Sequence, residues 1–248
     1  MAGHSKWAQI KRKKAVTDAR RGKLWTKLLK EVTVAARLGG GDVDGDPRLR
    51  VAVQDAKAAN VPNANIERAI KKGTGELEGG QLDEITYEGY GPGGVAILVE
   101  AMTDNRNRTV SELRHVFARH GGNLGEAGCV AWIFSKRGQF TIPDHSIGED
   151  RLLELVLEAG ADDLALDGGT YEVDTAAETY PAVLRQLQDH DVELLSHDLV
   201  MVPSNTVEIE ADQAPTLMSL MEQLEDHDDV QNVWANFEID DEVLAGIG

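Results

Sequence analysis

This 248-residue chain has one cysteine, Cys129, so no intrachain disulfide can form, and a reducing cytosol fits. It has no long apolar run, and its longest hydrophobic stretches are too short to span a bilayer. The first thirty residues are basic and polar, which does not fit a secretory signal. Positive charge is also scarce: 25 Lys+Arg stand against 43 Asp+Glu, a net of -18. These absences exclude a disulfide scaffold and a helical membrane protein, and they lead us to expect a cytoplasmic protein. The hydrophobic fraction of 42% is ordinary for folded domains, and the length suffices for sizeable cores without staples.

The few cations are concentrated at one end. Residues 1–80 carry 17 Lys+Arg and 9 Asp+Glu, a net of +8; the remainder carries 8 and 34, a net of -26. The first thirty residues hold 10 Lys+Arg and a single acid, Asp18. Lys6, the run Lys11, Arg12, Lys13 and Lys14, and the pair Arg20 and Arg21 precede a segment with helical period at residues 24–38. There Trp25, Leu28, Leu29, Val32 and Ala36 fall on one arc, and Lys23, Lys27, Lys30 and Arg37 on the other. A basic segment on an acidic body is what a polyanion binder shows. Two other readings exist: the basic part docks on the acidic part of its own chain, or the surplus acids suit a salt-rich cytoplasm.

Residues 1–7 have no periodicity and are expected to form a mobile arm, and residues 8–21 a helix held only when a partner orders it. Gly39-Gly40-Gly41 should end the next helix, Asp46 and Pro47 should start another, and Asn63 should cap a third, closed by Gly73. Beyond residue 80 the period changes to two. Residues 85–87 and 95–99 predict a hairpin around the glycine-rich turn 89–94. The pattern Thr109-Val110-Ser111-Glu112 predicts a capping box, and residues 146–149 another. Residues 130–134 and 138–142 predict two strands. Further on, the pattern predicts strands around Gly168-Gly169, a helix over 182–189, an extended segment over 192–202, and a strand, helix and strand over 206–239.

The fold class expected is therefore α+β: a basic helical domain over residues 1–80, followed by two ferredoxin-like α/β sandwiches. One sandwich, 137–203, is inserted in the other, which comprises 81–136 and 204–248.

Motifs for catalysis do not hold. Gly89-Tyr90-Gly91-Pro92-Gly93-Gly94 has dinucleotide-loop spacing, but a strand follows it and Pro92 lacks an amide donor. Asp42, Asp44 and Asp46 open like a calcium loop, but Pro47 and Val53 stand where Gly and Glu are needed. The seven histidines lack zinc spacing, and Cys129 reads as a small buried hydrophobe. No catalytic residue, metal or cofactor is expected. Asn105, Arg106, Asn107 and Arg108 at a strand-to-helix junction suit anion recognition; equally, the Asn and Asp there can cap while the arginines pair with local acids.

Several stretches resemble the YebC/PmpR family: residues 1–7, Thr26-Lys27, 34–41, 47–50, 66–71, 87–94, 103–109 and 120–125. The resemblance implies a cytoplasmic, three-domain, non-enzymatic protein with a basic helical N-terminus and two α/β domains. Members are usually labelled DNA-binding transcriptional regulators. Some, including mitochondrial relatives, are implicated in translation at the ribosome and in relief of stalling at proline runs. The expected partner is nucleic acid: DNA, or rRNA and tRNA on the ribosome. The expected phosphate contacts are Lys6, Lys11, Arg12, Lys13, Lys14, Arg20, Arg21, Lys23, Lys27, Lys30 and Arg37.

Overall fold

The computed structural model describes residues 18–79 and 81–240, with side chains from Arg21 onward. The expected arm, most of the first expected helix, and Lys6, Lys11, Arg12, Lys13 and Lys14 lie outside the described residues. The chain forms two compact units, residues 1–131 with 206–248, and residues 132–205.

The first unit begins with α1 (Asp18–Gly39), α2 (Pro47–Ala58) and α3 (Asn63–Gly73). Their apolar stripes meet in one cluster: Val32 and Ala36 of α1, Leu49 and Val53 of α2, Ile66 and Ala69 of α3. Trp25 and Leu28 pack against it, and the Trp25 indole N–H donates to the Ala59 carbonyl at 2.9 Å. Gly40, with φ 84°, ends α1. Asp46 accepts from the Leu49 amide at 2.7 Å and Pro47 takes the first turn of α2. Asn63 does not cap α3: Pro62 takes that place with φ -59° and ψ 134°, and its carbonyl accepts the first helical bonds. A Cβ on Gly73 would lie 2.3 Å from the Thr33 carbonyl oxygen, so this glycine sets how closely α3 approaches α1.

The same unit holds an antiparallel sheet split in the sequence. Strand β1 (Asp83–Tyr90) pairs with β2 (Ala96–Thr103) through a turn in which Gly93 and Gly94 have φ 70° and 77°. Strand β3 (Asn123–Leu124) lies on the far side of β1, and β9 (Val230–Ala235) on the far side of β2. Helices α4 (Arg106–Arg119) and α7 (Ala214–Glu225) cover one face, with Leu113, Phe117, Leu217 and Leu220 packed on Ile97, Val99 and Val233. Strands β8 (Val207–Glu208) and β10 (Phe237–Glu238) form a separate parallel pair.

The second unit runs β4 (Phe134–Pro143), α5 (Glu149–Glu158), β5 (Ala161–Asp167), β6 (Thr170–Ala176), α6 (Tyr180–Asp189) and β7 (Ser196–Pro203). Its antiparallel order β5-β6-β4-β7 is the ferredoxin-like arrangement expected. Phe140, Ile142 and Val173 pack on Leu152, Val156, Val183 and Leu187, with the Phe140 and Tyr180 rings stacked at 4.9 Å. The α+β class expected from the sequence is the class observed.

Three local expectations are corrected. Helix α4 starts at Arg106 with Asn105 as its cap, so Thr109 is a buried residue of the first turn and not a capping residue. Helix α5 has Gly148 at its cap position, and the Ser146 hydroxyl turns back to the Pro143 carbonyl at 2.8 Å. Residues 130–133 are not strand: β4 begins at Phe134 after a short 3₁₀ turn. The reason is Glu88, buried on β1, whose carboxylate accepts from the amides of Gly128, Val130 and Ala131 at 2.6, 2.7 and 2.7 Å. Those amides are thereby withdrawn from any ladder.

Burial alone would push the Glu88 carboxyl up, but the three amides outweigh it and hold its pKa below the usual value. A depressed carboxyl contributes stability above its unfolded pKa and loses it as pH falls through the folded one. Glu88→Gln should therefore cost about 2 kcal/mol at neutral pH, because an amide NH₂ faces a backbone donor. The cost should shrink in acid. Urea unfolding of both proteins at neutral pH and near pH 4 measures it.

Candidate nucleic-acid interface

The polar centre of the first unit is Asp229, in the turn between α7 and β9, with its side chain only 6% exposed. A buried carboxylate must be saturated with donors. One oxygen accepts from the Lys30 ammonium of α1 at 2.8 Å. The other accepts from Arg108 at 2.7 Å, Thr109 at 2.8 Å and Thr103 at 3.1 Å. Desolvation opposes ionisation, but these bonds and the Lys30 charge carry the group well below the ordinary carboxylate range. The Asp229 carbonyl also accepts from the Met102 amide at 2.8 Å, which ties the turn to the end of β2.

The basic arc of α1 continues along the same turn. Lys27 donates to the Glu225 carbonyl at 2.7 Å. Lys23 donates to the Asp226 carbonyl at 3.1 Å and lies 3.5 Å from its carboxylate. Lys30 reaches the Asp228 and Met102 carbonyls at 2.8 and 3.1 Å. Lys27 and Lys23 thus meet the carbonyl end of α7, where the helix dipole favours positive charge, and Lys30 meets the turn beyond it. Arg37 donates to the Leu82 carbonyl. Of the sequence-predicted set, Lys23, Lys27, Lys30 and Arg37 therefore act inside the molecule, the docking alternative that the charge distribution allowed. Arg20 lies in α1 with its side chain outside the description, and Arg21 is exposed.

The junction 105–108 is also engaged internally. Asn105 accepts from the Arg108 amide at 3.1 Å. Arg106 donates to Asp83 at 2.8 Å, and Arg108 bridges Asp229 and Asp104. Asn107 is exposed on the first turn.

This architecture is shared with known proteins. The description "TACO1/YebC protein N-terminal domain" matches residues 5–76, and "TACO1/YebC second and third domain" matches 82–237. The chain belongs to the TACO1/YebC family. A protein of Natranaerobius thermophilus called a probable transcriptional regulatory protein is 56% identical over 247 residues, covering 98% of this chain and 99% of that one. One of Syntrophobacter fumaroxidans with the same name is 55% identical over 248 residues, all of both chains. The crystal structure of a conserved hypothetical protein from Aquifex aeolicus superposes with a TM-score of 0.86 at 49% identity, over 96% of this chain and 98% of that one.

Two spots in this TACO1/YebC chain invite a chemical reading. Glu112, His227 and Asp229 place ligand atoms within 4.8 Å of one another. The Asp229 amide donates to His227 Nδ1 at 3.1 Å, which leaves Nε2 to donate to Glu112 at 2.9 Å. The Asp229 oxygens are already taken by two cations, so a metal ion would meet Lys30 and Arg108. The donor set does not fit a metal. At Cys129, burial and the nearby Glu88 charge push the thiol pKa up, against the thiolate a nucleophile needs.

Sequence reasoning missed Asp229 as the hub, because its four donors come from residues 30, 103, 108 and 109. Asp229→Asn should destabilise the protein by about 3 kcal/mol, the low end for breaking a buried pair, since Arg108 is 43% exposed and screened. The wild-type contribution is present above the unfolded aspartate pKa and is lost as pH falls. The gap between the two proteins should thus close in acid, as followed by thermal melts across pH.

Proposed function

We propose that this protein is a cytoplasmic, nucleic-acid-binding regulator of gene expression that acts without a catalytic step. The observation that carries this reading is the charge division: +8 over residues 1–80 against -26 over the rest. The relatives named as probable transcriptional regulatory proteins support the regulator role. Residues 1–80 are the binding domain in this reading, and the family boundary between residues 76 and 82 supports that division. Lys6, Lys11, Arg12, Lys13, Lys14, Arg20 and Arg21 contact phosphates, while Lys23, Lys27, Lys30 and Arg37 hold α1 in place. Such contacts give affinity without sequence readout.

Two targets follow: DNA, as the regulator label suggests, or rRNA and tRNA on the ribosome. The second is favoured by the junction 105–108, whose two arginines pair with Asp83, Asp104 and Asp229. They are occupied where bidentate base reading would need them open. Asn107 has no role in either reading.

With about five phosphates contacted, log K should fall against log salt with a slope near -4.5. Replacing Lys11, Arg12, Lys13 and Lys14 by Gln should flatten that slope by about 2 in fluorescence anisotropy, since the run shares the contacts with the other cations of residues 1–80. Intact protein should co-sediment with ribosomes at moderate salt and show little preference among DNA sequences. A promoter bound roughly 10³-fold above bulk DNA, with none in ribosome fractions, decides for the transcriptional target.

A further inference from the structure

We infer that the outer face of α3 is a contact surface for structured RNA, through Asn65, Arg68, Lys71 and Lys72. This rests on the nucleic-acid reading above and assigns it a surface. Three observations converge.

The first is the state of the cations. The lysines of α1 meet carbonyls and carboxylates of their own chain. Arg48 pairs with Glu31 and Glu84, and Arg50 meets the Asp44 carbonyl. Among the described residues, Arg68, Lys71 and Lys72 are exposed and enter no ion pair. The counter-charge nearest in sequence on the loop after α3, Glu76, is bonded to Thr74.

The second is the face itself. Ile66 and Ala69 are buried against α1 and α2, and Ile70 packs against the same cluster. At about 100° per residue, Ala64, Arg68, Lys71 and Lys72 fall together on the opposite side, with Asn65 and the acid Glu67 at its two edges. All six are exposed. Ala64 leaves the start of the face low, one turn before Arg68, so a backbone can approach there.

The third is which polyanion fits. The cations sit in the second half of α3, and its first turn carries none. A recognition helix enters the B-DNA major groove by its first turn. A face with three cations in its later turns and the Asn65 amide at its edge in the first turn suits a shallow groove: the amide can both donate to and accept from a 2′-hydroxyl while the cations meet flanking phosphates. Lys71 and Lys72 also complement the helix dipole, but that role leaves Arg68 unexplained.

The test uses the full chain and two labelled probes in anisotropy: an RNA hairpin with a stem of about 16 base pairs, and a DNA duplex of the same sequence. Two variants are compared with the parent. R68Q/K71Q/K72Q removes the cations, and Ala64→Glu puts a carboxylate on the same face one turn before Arg68 without removing any. Both alter exposed positions, so their melting temperatures should match the parent. The expected result is RNA affinity at least about tenfold lower in both variants and a salt slope flatter by about 2–3 in the triple variant, with the parent binding DNA less tightly. Unchanged RNA affinity in both variants overturns this surface while leaving nucleic-acid binding intact. DNA bound as tightly as RNA, and weakened equally, overturns the RNA assignment. A parent that binds neither probe overturns the functional reading itself.

Discussion

The first unit depends on the saturation of one buried carboxylate. Asp229 sits where α1, the end of β2, the first turn of α4 and the turn after α7 converge, and each supplies a donor or an anchor. An isolated charge at that depth would be prohibitive; with two cations and two hydroxyls around it, the site becomes a fixed joint. It also sets the attitude of the helices. Lys30 can reach Asp229 only if α1 lies along the carbonyl end of α7, and then Lys27 and Lys23 meet Glu225 and Asp226. The apolar arc of α1 faces α2 and α3, so both arcs are used at once.

That joint decides what the surface can do. A chain with 25 cations and 43 acids has few positive charges to spare. Lys30, 17% exposed and bonded to Asp229, cannot meet a ligand without undoing the joint. The second unit, residues 132–205, holds 4 Lys+Arg against 15 Asp+Glu. On its sheet Asp163 lies opposite Asp174, and Gln139 lies opposite Asp198, a row with no cation. Such a surface repels phosphate.

Where a structural signal was local, it was legible. The apolar arc of α1, the Asp46 and Pro47 start of α2, the hairpin of β1 and β2, and the β-α-β-β-α-β order of the second unit each follow from neighbours a few residues apart. The misplaced caps show the limit. Thr109 has the right spacing to Glu112 for a capping box, yet its hydroxyl is drawn to Asp229, 120 residues away. Residues 130–133 have the hydrophobic look of a strand, yet the Val130 and Ala131 amides go to Glu88, 42 and 43 residues upstream.

The sequence by itself determined the family, the period of the elements and the concentration of positive charge in the first 80 residues. These are properties of composition and short-range order. Only the tertiary structure decided which cations are taken and which are open. A buried carboxylate recruits whatever donors lie within about 3 Å, from any element, and no periodic pattern encodes that distance. Thus Lys23, Lys27 and Lys30, the most conspicuous basic stripe in the chain, became internal contacts. The plainer stripe of Arg68, Lys71 and Lys72 stayed on the surface because α3 buries only its other side.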